Sequence, residues 1–150
     1  MGAAFRVGVK LTLWRQAMIP EGLVTAASRS GPGETMDRLK AEIAVRGMRV
    51  FACIDHAAGA AEVGSSPRPT ALLIFGNAKA GTLLMQAVQA IGIDLPLKAL
   101  VWQDEAGETW VSYNDPLWIA KRHGLNEKAE MAARAMAAAL QAVTSAATGL

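Results

Sequence analysis

The sequence predicts a single domain in which β-strands and α-helices are mixed. The chain has 150 residues, of which 52% are hydrophobic, and this size supports one packed core but is short for two. From Gly22 onward, apolar runs of strand length alternate with amphipathic runs of helix length. Two apolar runs between Leu97 and Asn114 also flank a short polar segment with Gly107, which is typical of a β-hairpin.

Local signals set the bounds of the elements in the first part of the domain. Leu23–Ser28 has the length and composition of a short strand. The next helix begins at Gly31 with Pro32 at its first position, and Gly47 ends it. Met48–Asp55 is the following strand.

Residues 56–69 (HAAGAAEVGSSPRP) are rich in Ala, Gly, Ser and Pro and show no hydrophobic period. This composition predicts a mobile connection rather than a helix or strand. Its length also makes it the best candidate for a lid over a site.

The second part of the domain is predicted to contain two more strands and two helices, with the bounds Leu97–Gln103, Thr109–Asn114, Leu117–His123 and a last helix that runs through Ala147. Asp115 followed by Pro116 is the cap and first position of the shorter helix, and Asn126 caps the longer one. Trp102 and Trp110 lie on the two strands of the hairpin, so they are expected to share one face of the sheet.

The last helix carries a narrow stripe of small and apolar residues, formed by Ala133, Met136, Leu140, Val143 and Ala147. Such a stripe suits close packing, either onto the sheet or across a dimer axis. Short strands and this stripe leave apolar surface that one small monomer does not cover, so we expect a homodimer.

A turn between a buried strand and a helix is the best candidate for an anion site. Thr70–Phe75 reads as the strand and Thr82–Ile91 as the helix, so backbone N–H groups of the turn can face a negative ligand. The turn supplies Asn77, Lys79, Gly81 and Thr82 as candidate ligand-binding residues. The spacing resembles a nucleotide-binding loop, but that loop needs its lysine directly after the second glycine, so nucleotide hydrolysis is not predicted.

Charge and cysteine content exclude several classes of partner. Fifteen basic and thirteen acidic residues give a net charge of +2 without a basic cluster, so neither nucleic acid nor a membrane is an expected partner. Charged residues interrupt each apolar run of the first twenty residues, so no signal peptide is predicted there, and no segment is long enough to span a membrane.

Cys53, the single cysteine, lies in an apolar strand and is expected to be a buried thiol. A cytoplasmic protein is the expectation.

Several segments resemble the bacterial and archaeal family called domain of unknown function 302. The resemblance covers about residues 22–125, and its most specific parts are IDH at 54–56, FGNxKAGT at 75–82, DLPLK at 94–98 and VSYNDP at 111–116. It implies an α+β fold in which a curved antiparallel sheet carries helices, an architecture similar to that of the TATA-binding protein. It implies no established reaction. The chain is thereby divided into an N-terminal arm at 1–21 with Trp14 as its anchor, a core domain at 22–125 and a C-terminal helix at 126–150.

Three functional hypotheses remain open. The first is a binding protein that holds a small organic or anionic ligand in a cleft lined by Lys79, His56, Trp102 and Tyr113. The second is an enzyme in which His56 or Asp115 transfers protons while Lys79 holds an anionic substrate. The third is an oligomeric structural protein. No nucleophile with a neighbouring base can be assembled from the spacing, which favours the first hypothesis.

No cofactor and no metal are expected. His56 and His123 are the two histidines of the chain, and a metal site would need a carboxylate such as Asp94 to join them. Recognisable ligand spacing is missing.

Overall fold

The computed structural model describes residues 19–150, and the predicted arm up to residue 18, with its anchor Trp14, lies outside the described residues. The described chain contains the strands β1 (Leu23–Ser28), β2 (Arg49–Asp55), β3 (Thr70–Gly76), β4 (Leu97–Gln103) and β5 (Thr109–Asn114). They form one sheet in the order β1-β5-β4-β3-β2, and each neighbouring pair is antiparallel. The α+β class is confirmed.

Helices connect most of the strands, with the bounds α1 (Pro32–Val45), α2 (His56–Glu62), α3 (Ala78–Ala87), a 3₁₀ helix (Gln89–Asp94), α4 (Pro116–Arg122) and α5 (Glu127–Thr148). Helices α1 and α5 pack together on one face of the sheet, because both contribute side chains to the main core. From the helices, this core contains residues such as Leu39, Ile43, Leu140 and Val143.

Alternation along the strands gives the sheet two different faces. Side chains at every second position, Leu73, Phe75, Leu97, Ala99, Val101, Val111 and Tyr113, meet α1 and α5 in the core. The intervening positions form the opposite face, which we call the open face. Trp102 and Trp110 lie opposite each other on this face, so the prediction that they share a face is confirmed.

A second, smaller apolar cluster holds the remaining helices. It joins Leu84 of α3, Ile91 of the 3₁₀ helix, Ile119 of α4 and Met136 of α5. Since α5 contributes to both clusters, the C-terminal helix is part of the same packed body as the sheet.

The stripe predicted on the last helix is buried within the chain itself. Its five residues, Ala133, Met136, Leu140, Val143 and Ala147, are at most 8% exposed. Of the two packing modes left open, the structure therefore shows packing onto the sheet and its neighbouring helices. The stripe is not available as a dimer surface.

Two expectations from the sequence are wrong. The segment that begins at His56 is helical up to Glu62, because the Asp55 side chain accepts the backbone N–H of Ala58 and so caps the first turn. The Ala-rich composition predicts an irregular connection, but alanine also favours a helix once the first turn is capped. Cys53 is exposed rather than buried, because β2 is an edge strand and most of its residues are exposed.

Gly22 fixes how the chain enters the sheet beneath α4. It has a positive φ of 81°, and a Cβ atom added there would overlap the indole ring of Trp118, so only glycine fits. Its carbonyl oxygen accepts the Asp115 backbone N–H at 2.7 Å. The Asp115 side chain accepts the Leu117 N–H, and the predicted helix cap is therefore confirmed.

Candidate functional site

The open face of the sheet carries a cavity of about 980 Å³, which we call the groove. It extends along the strands from Leu23 and Asn114 at one end to Asp104 at the other end. Its floor comes from alternate strand residues, among them Leu72, Lys98, Leu100, Trp102, Trp110 and Ser112. The floor is therefore mostly apolar.

The two tryptophans form the aromatic part of the groove. The ring centroids of Trp102 and Trp110 are 6.1 Å apart, and their planes are inclined by 26°, which is an offset stack. Both residues are half-buried. The indole pair thus gives this end of the groove floor an aromatic surface.

Ser112 holds the Trp102 ring in place. The indole Nε1–H of Trp102 donates to the Ser112 hydroxyl oxygen at 2.9 Å, and this hydroxyl also lies 2.8 Å from the Thr25 hydroxyl. Ser112 is only 3% exposed. A buried hydroxyl with two partners therefore sets the orientation of the Trp102 indole in the groove floor.

Lys98 is the charged residue of the groove floor. It is half-buried and lies on β4 opposite Ile74, two positions before Leu100 on the same face. Within residues 19–150, none of the ion pairs or side-chain hydrogen bonds involves its ammonium group. A half-buried positive charge thus faces the groove without an acidic partner from the described chain.

The other charges of the groove lie at its far end, where the β4–β5 turn closes. Arg68 Nη1 pairs with Glu105 Oε1 at 3.3 Å in an exposed position. Asp104 accepts the Trp110 indole N–H at 2.9 Å and the backbone N–H groups of Ala106 and Glu108. Asp104 is therefore occupied in holding the turn and the second indole.

Tyr113 was predicted to line the cleft, and the structure places it mainly in the core. It is 6% exposed and packs among the residues beneath the sheet, although part of it borders the groove. Burial raises the pKa of the Tyr113 phenol above its ordinary value of 10.0, and the charge of Asp115 raises it further.

The helix predicted to begin at Thr82 begins at Ala78, because the Asn77 side chain caps it, so most of the predicted anion turn lies within α3. The Asn77 side chain accepts the Lys79 backbone N–H at 2.9 Å, and the Thr82 hydroxyl donates to the Ala78 carbonyl oxygen at 2.7 Å. Asn77, Gly81 and Thr82 border a separate cavity of about 230 Å³. Lys79 is exposed beside it.

The predicted site residues do not come together in one cleft. His56 follows the end of β2 and lies beside the start of β3, whereas Lys79 follows the end of β3. A seven-residue strand is roughly 20 Å long, so these two side chains lie at opposite ends of the sheet. Asp115, after the end of β5, lies at the same end as Lys79. Of the four predicted cleft residues, Trp102 alone presents its side chain to the groove floor.

His123 is engaged with Asp94 rather than with His56. Its Nε2 lies 2.6 Å from Asp94 Oδ2, and Arg122 Nη1 contacts Asp94 Oδ1 at 3.1 Å. This cluster ties the 3₁₀ helix to the end of α4. Over residues 19–150, the structure contains no group of three or more His, Cys, Asp or Glu side chains placed to hold a metal ion.

Three groove residues were not predicted from the sequence: Lys98, Leu100 and Ser112. A signal for them existed, because Lys98, Leu100 and Trp102 occupy alternate positions of one predicted strand and therefore share a face. The sequence prediction rested on the glycine-containing turn instead of this alternation along the strand.

An antiparallel sheet with its two longest helices on one face defines a domain of the α+β class. The chain belongs to the family described as domain of unknown function DUF302, which matches residues 24–143. The resemblance found from the sequence is confirmed. The match extends beyond residue 125, where it was expected to end, and includes most of α5.

Relatives in two Brucella species carry the name fluoride-specific ion channel FluC 1. The proteins from Brucella suis and Brucella abortus are each 45% identical to this chain over 133 residues, which is 89% of the chain. The match covers 52% and 49% of the relatives, respectively, so this chain spans about half of their length. In the described part of this chain, no helix has the length and apolar character needed to cross a membrane.

A solved structure shares the fold. It is the crystal structure of an uncharacterized conserved DUF302 protein from Bacillus stearothermophilus, with a TM-score of 0.77 and 19% sequence identity. The alignment covers 85% of this chain and 99% of that chain. This similarity supports the assignment of the fold. A sequence identity of 19% carries no information about a ligand.

Proposed function

We propose that this domain binds a small organic ligand in the groove on the open face of its sheet. The observation that carries the proposal is the combination of a mostly apolar floor, the stacked pair of Trp102 and Trp110 within it, and a half-buried Lys98. A volume of about 980 Å³ lies at the upper end of the range of roughly 300–1,000 Å³ that is common for small-molecule sites.

Binding is preferred to catalysis because of what surrounds Lys98. General acid–base chemistry needs a donor and an acceptor within hydrogen-bond reach of one reacting group. The strand residues next to Lys98 on the floor, Ile74 and Leu100, are apolar, and the carboxylate of Asp104 is engaged at the far end. His56 and Asp115, the predicted proton-transfer residues, lie at opposite ends of the sheet.

A thermal-shift screen of small organic metabolites, followed by titration of tryptophan fluorescence, tests this proposal. A ligand that binds only the folded protein raises its melting temperature, and a ligand at the indole pair changes the emission. In Leu100→Arg, the longer charged side chain would occupy the apolar part of the groove, so we expect this variant to lose both the rise in melting temperature and the change in emission. Met131→Arg, at an exposed position of α5, is the matched control and should keep them.

If ligands bind equally well to the wild type and to folded Leu100→Arg, the groove is not the site. If no metabolite raises the melting temperature of the wild-type protein, ligand binding is not supported, and a structural role becomes the better explanation.

We also propose that the protein is a homodimer that pairs through β2. This strand lies at the edge of the sheet, where its outer backbone groups have no partner strand in residues 19–150. Phe51 and Ile54 of β2 are 47% and 42% exposed. An apolar edge strand of this kind is suited to pair with a second copy.

Light scattering at micromolar concentration measures the mass directly. We expect the mass of a dimer for the wild type and that of a monomer for Phe51→Glu, while Val63→Glu, at another exposed apolar residue, leaves the dimer intact. A monomeric wild type refutes the proposal.

The free thiol supports a cytoplasmic location, which we propose as well. Cys53 is exposed and has no second cysteine in the chain. An accessible unpaired thiol is more stable in a reducing compartment. Cell fractionation with an antibody against the native protein tests the location, and recovery in a secreted or membrane fraction would refute it.

The Brucella relatives suggest a second candidate function, a response to fluoride. The supporting observation is the 45% identity over 133 residues to proteins named as fluoride-specific channels. Melting temperatures in sodium fluoride and in sodium chloride at equal ionic strength test this candidate. A stabilisation by fluoride alone supports it, and equal melting temperatures in the two salts refute it.

A further inference from the structure

We propose that the ligand of the groove is an amphipathic organic anion, with one carboxylate or sulfonate group at Lys98 and an apolar or aromatic body along β4 towards the two tryptophans. This inference rests on the proposed ligand binding in the groove and adds the chemical class of the ligand. It assigns the anion-binding role to Lys98 on the sheet, at a distance from the glycine-containing turn.

Lys98 carries a positive charge that no ion pair within residues 19–150 neutralises. An ammonium group that is half-buried on an apolar floor loses part of its hydration, and this costs free energy unless an anion compensates it. The acidic groups at the groove are at its far end. Asp104 directly follows the end of β4, six positions after Lys98, which corresponds to about 20 Å of extended chain, and Glu105 pairs with Arg68. A ligand anion can supply the missing negative charge.

The rest of the ligand would lie on an apolar surface of the groove floor next to Lys98. Leu100 follows Lys98 on the same face, with Leu72 beside it on β3, and Trp102 comes next. Trp102 lies four positions after Lys98 on β4, which corresponds to roughly 13 Å of strand. A body of this length, with no second charge, covers the leucines and reaches the indole pair.

Among residues 19–150, the end of the groove near Lys98 offers few polar partners for other classes of ligand. A nucleotide or sugar phosphate needs several donors around its phosphate and many polar partners for its hydroxyl groups. Near Lys98, the polar side chain from the neighbouring strand is Asn114, which lines the same end of the groove. One cation beside one amide fits a single, small anionic group.

A pair of fluorescent probes tests this inference. 1-Anilinonaphthalene-8-sulfonate carries an aromatic body and one anionic group, and N-phenyl-1-naphthylamine has the same body without the charge. Each probe is titrated into the native wild-type protein and into Lys98→Met, Lys98→Arg and Lys121→Met. Lys121 is an exposed lysine of α4 and serves as the matched control. Far-UV circular dichroism confirms that each variant is folded.

We expect Lys98→Met to weaken binding of the anionic probe by about tenfold or more, which is typical for the loss of a hydrogen bond to a charged group. Binding of the neutral probe should stay the same or become tighter. Lys98→Arg should retain the affinity for the anionic probe, and Lys121→Met should resemble the wild type.

Two results would overturn the inference in distinguishable ways. If both probes bind the wild type and Lys98→Met weakens binding of neither, the groove binds ligands but does not select anions. The proposed ligand binding would then stand, and the assignment of an organic anion as the ligand would fail. If neither probe binds the native wild type, both the inference and the proposed ligand binding at the indole pair fail.

Discussion

The hydrogen bonds of Ser112 offer the sharpest test of how the groove is built. The substitution is Ser112→Ala, which removes one oxygen atom from a nearly fully buried position and leaves the strand otherwise unchanged. Two groups lose a partner, the Trp102 indole N–H and the Thr25 hydroxyl. Both residues are half-buried, so water can replace part of the loss.

The expected cost follows from those two contacts. Each hydrogen bond contributes a net of about 0.5–1.5 kcal/mol, and an unsatisfied buried partner costs more. Since the groove admits water to both partners, we expect Ser112→Ala to lower the free energy of unfolding by about 1–2 kcal/mol. The control Ser145→Ala, at a half-buried serine of α5, should change it by about 0.5 kcal/mol or less.

A double-mutant cycle measures the contact itself. Trp102→Phe keeps an aromatic ring and removes the N–H donor, so Ser112→Ala should cost less in that background than in the wild type. The coupling energy from urea unfolding should be on the order of 0.5–1 kcal/mol. The groove should also bind its aromatic probes more weakly in Ser112→Ala, because the indole is no longer held in one orientation.

Strict additivity of the two substitutions would refute this reasoning. It would mean that the Trp102 indole is held by stacking on Trp110 and that the hydrogen bond to Ser112 contributes nothing measurable.

Four further predictions concern individual residues. Asp115→Ala should lower the free energy of unfolding by about 0.5–2 kcal/mol and Asp115→Asn by much less, since asparagine also caps a helix; urea melts of the two variants decide this. Gly22→Ala should cost about 2–4 kcal/mol, because it adds strain at a positive φ to an overlap with Trp118, and an unchanged melting temperature would contradict the described packing. Because the pKa of Tyr113 is raised on folding, the folded state holds this proton more tightly; stability is full below the ordinary pKa of 10.0 and falls as the pH rises above it, so Tyr113→Phe should show a smaller loss in alkaline urea melts. Phosphate should raise the melting temperature of the wild type more than that of Lys79→Ala if the turn before α3 binds anions, and equal shifts would exclude such a site.

Local signals in the sequence were sufficient for most of the elements. The strands Leu23–Ser28, Leu97–Gln103 and Thr109–Asn114 have the predicted bounds, because alternation and turn residues act between neighbours in the chain. The caps at Asp115 and Asn126 are local for the same reason, since a cap needs only its own side chain and the next turn. The pairing of Trp102 with Trp110 followed from the short hairpin that joins their strands.

The tertiary structure decided which of these residues form a site. The position of β2 at the edge of the sheet exposes Cys53, and only the order of the strands determines which strand is at the edge. Likewise, Lys98 becomes a candidate ligand because its strand is central, its neighbours are apolar and no carboxylate of the described chain reaches it. The sequence alone established the helix caps and the aromatic pair, because they depend on contacts close in the chain, and the resemblance to the family supplied the α+β class. Exposure, cavity shape and charge compensation depend on contacts between distant segments, and these were settled only by the folded arrangement.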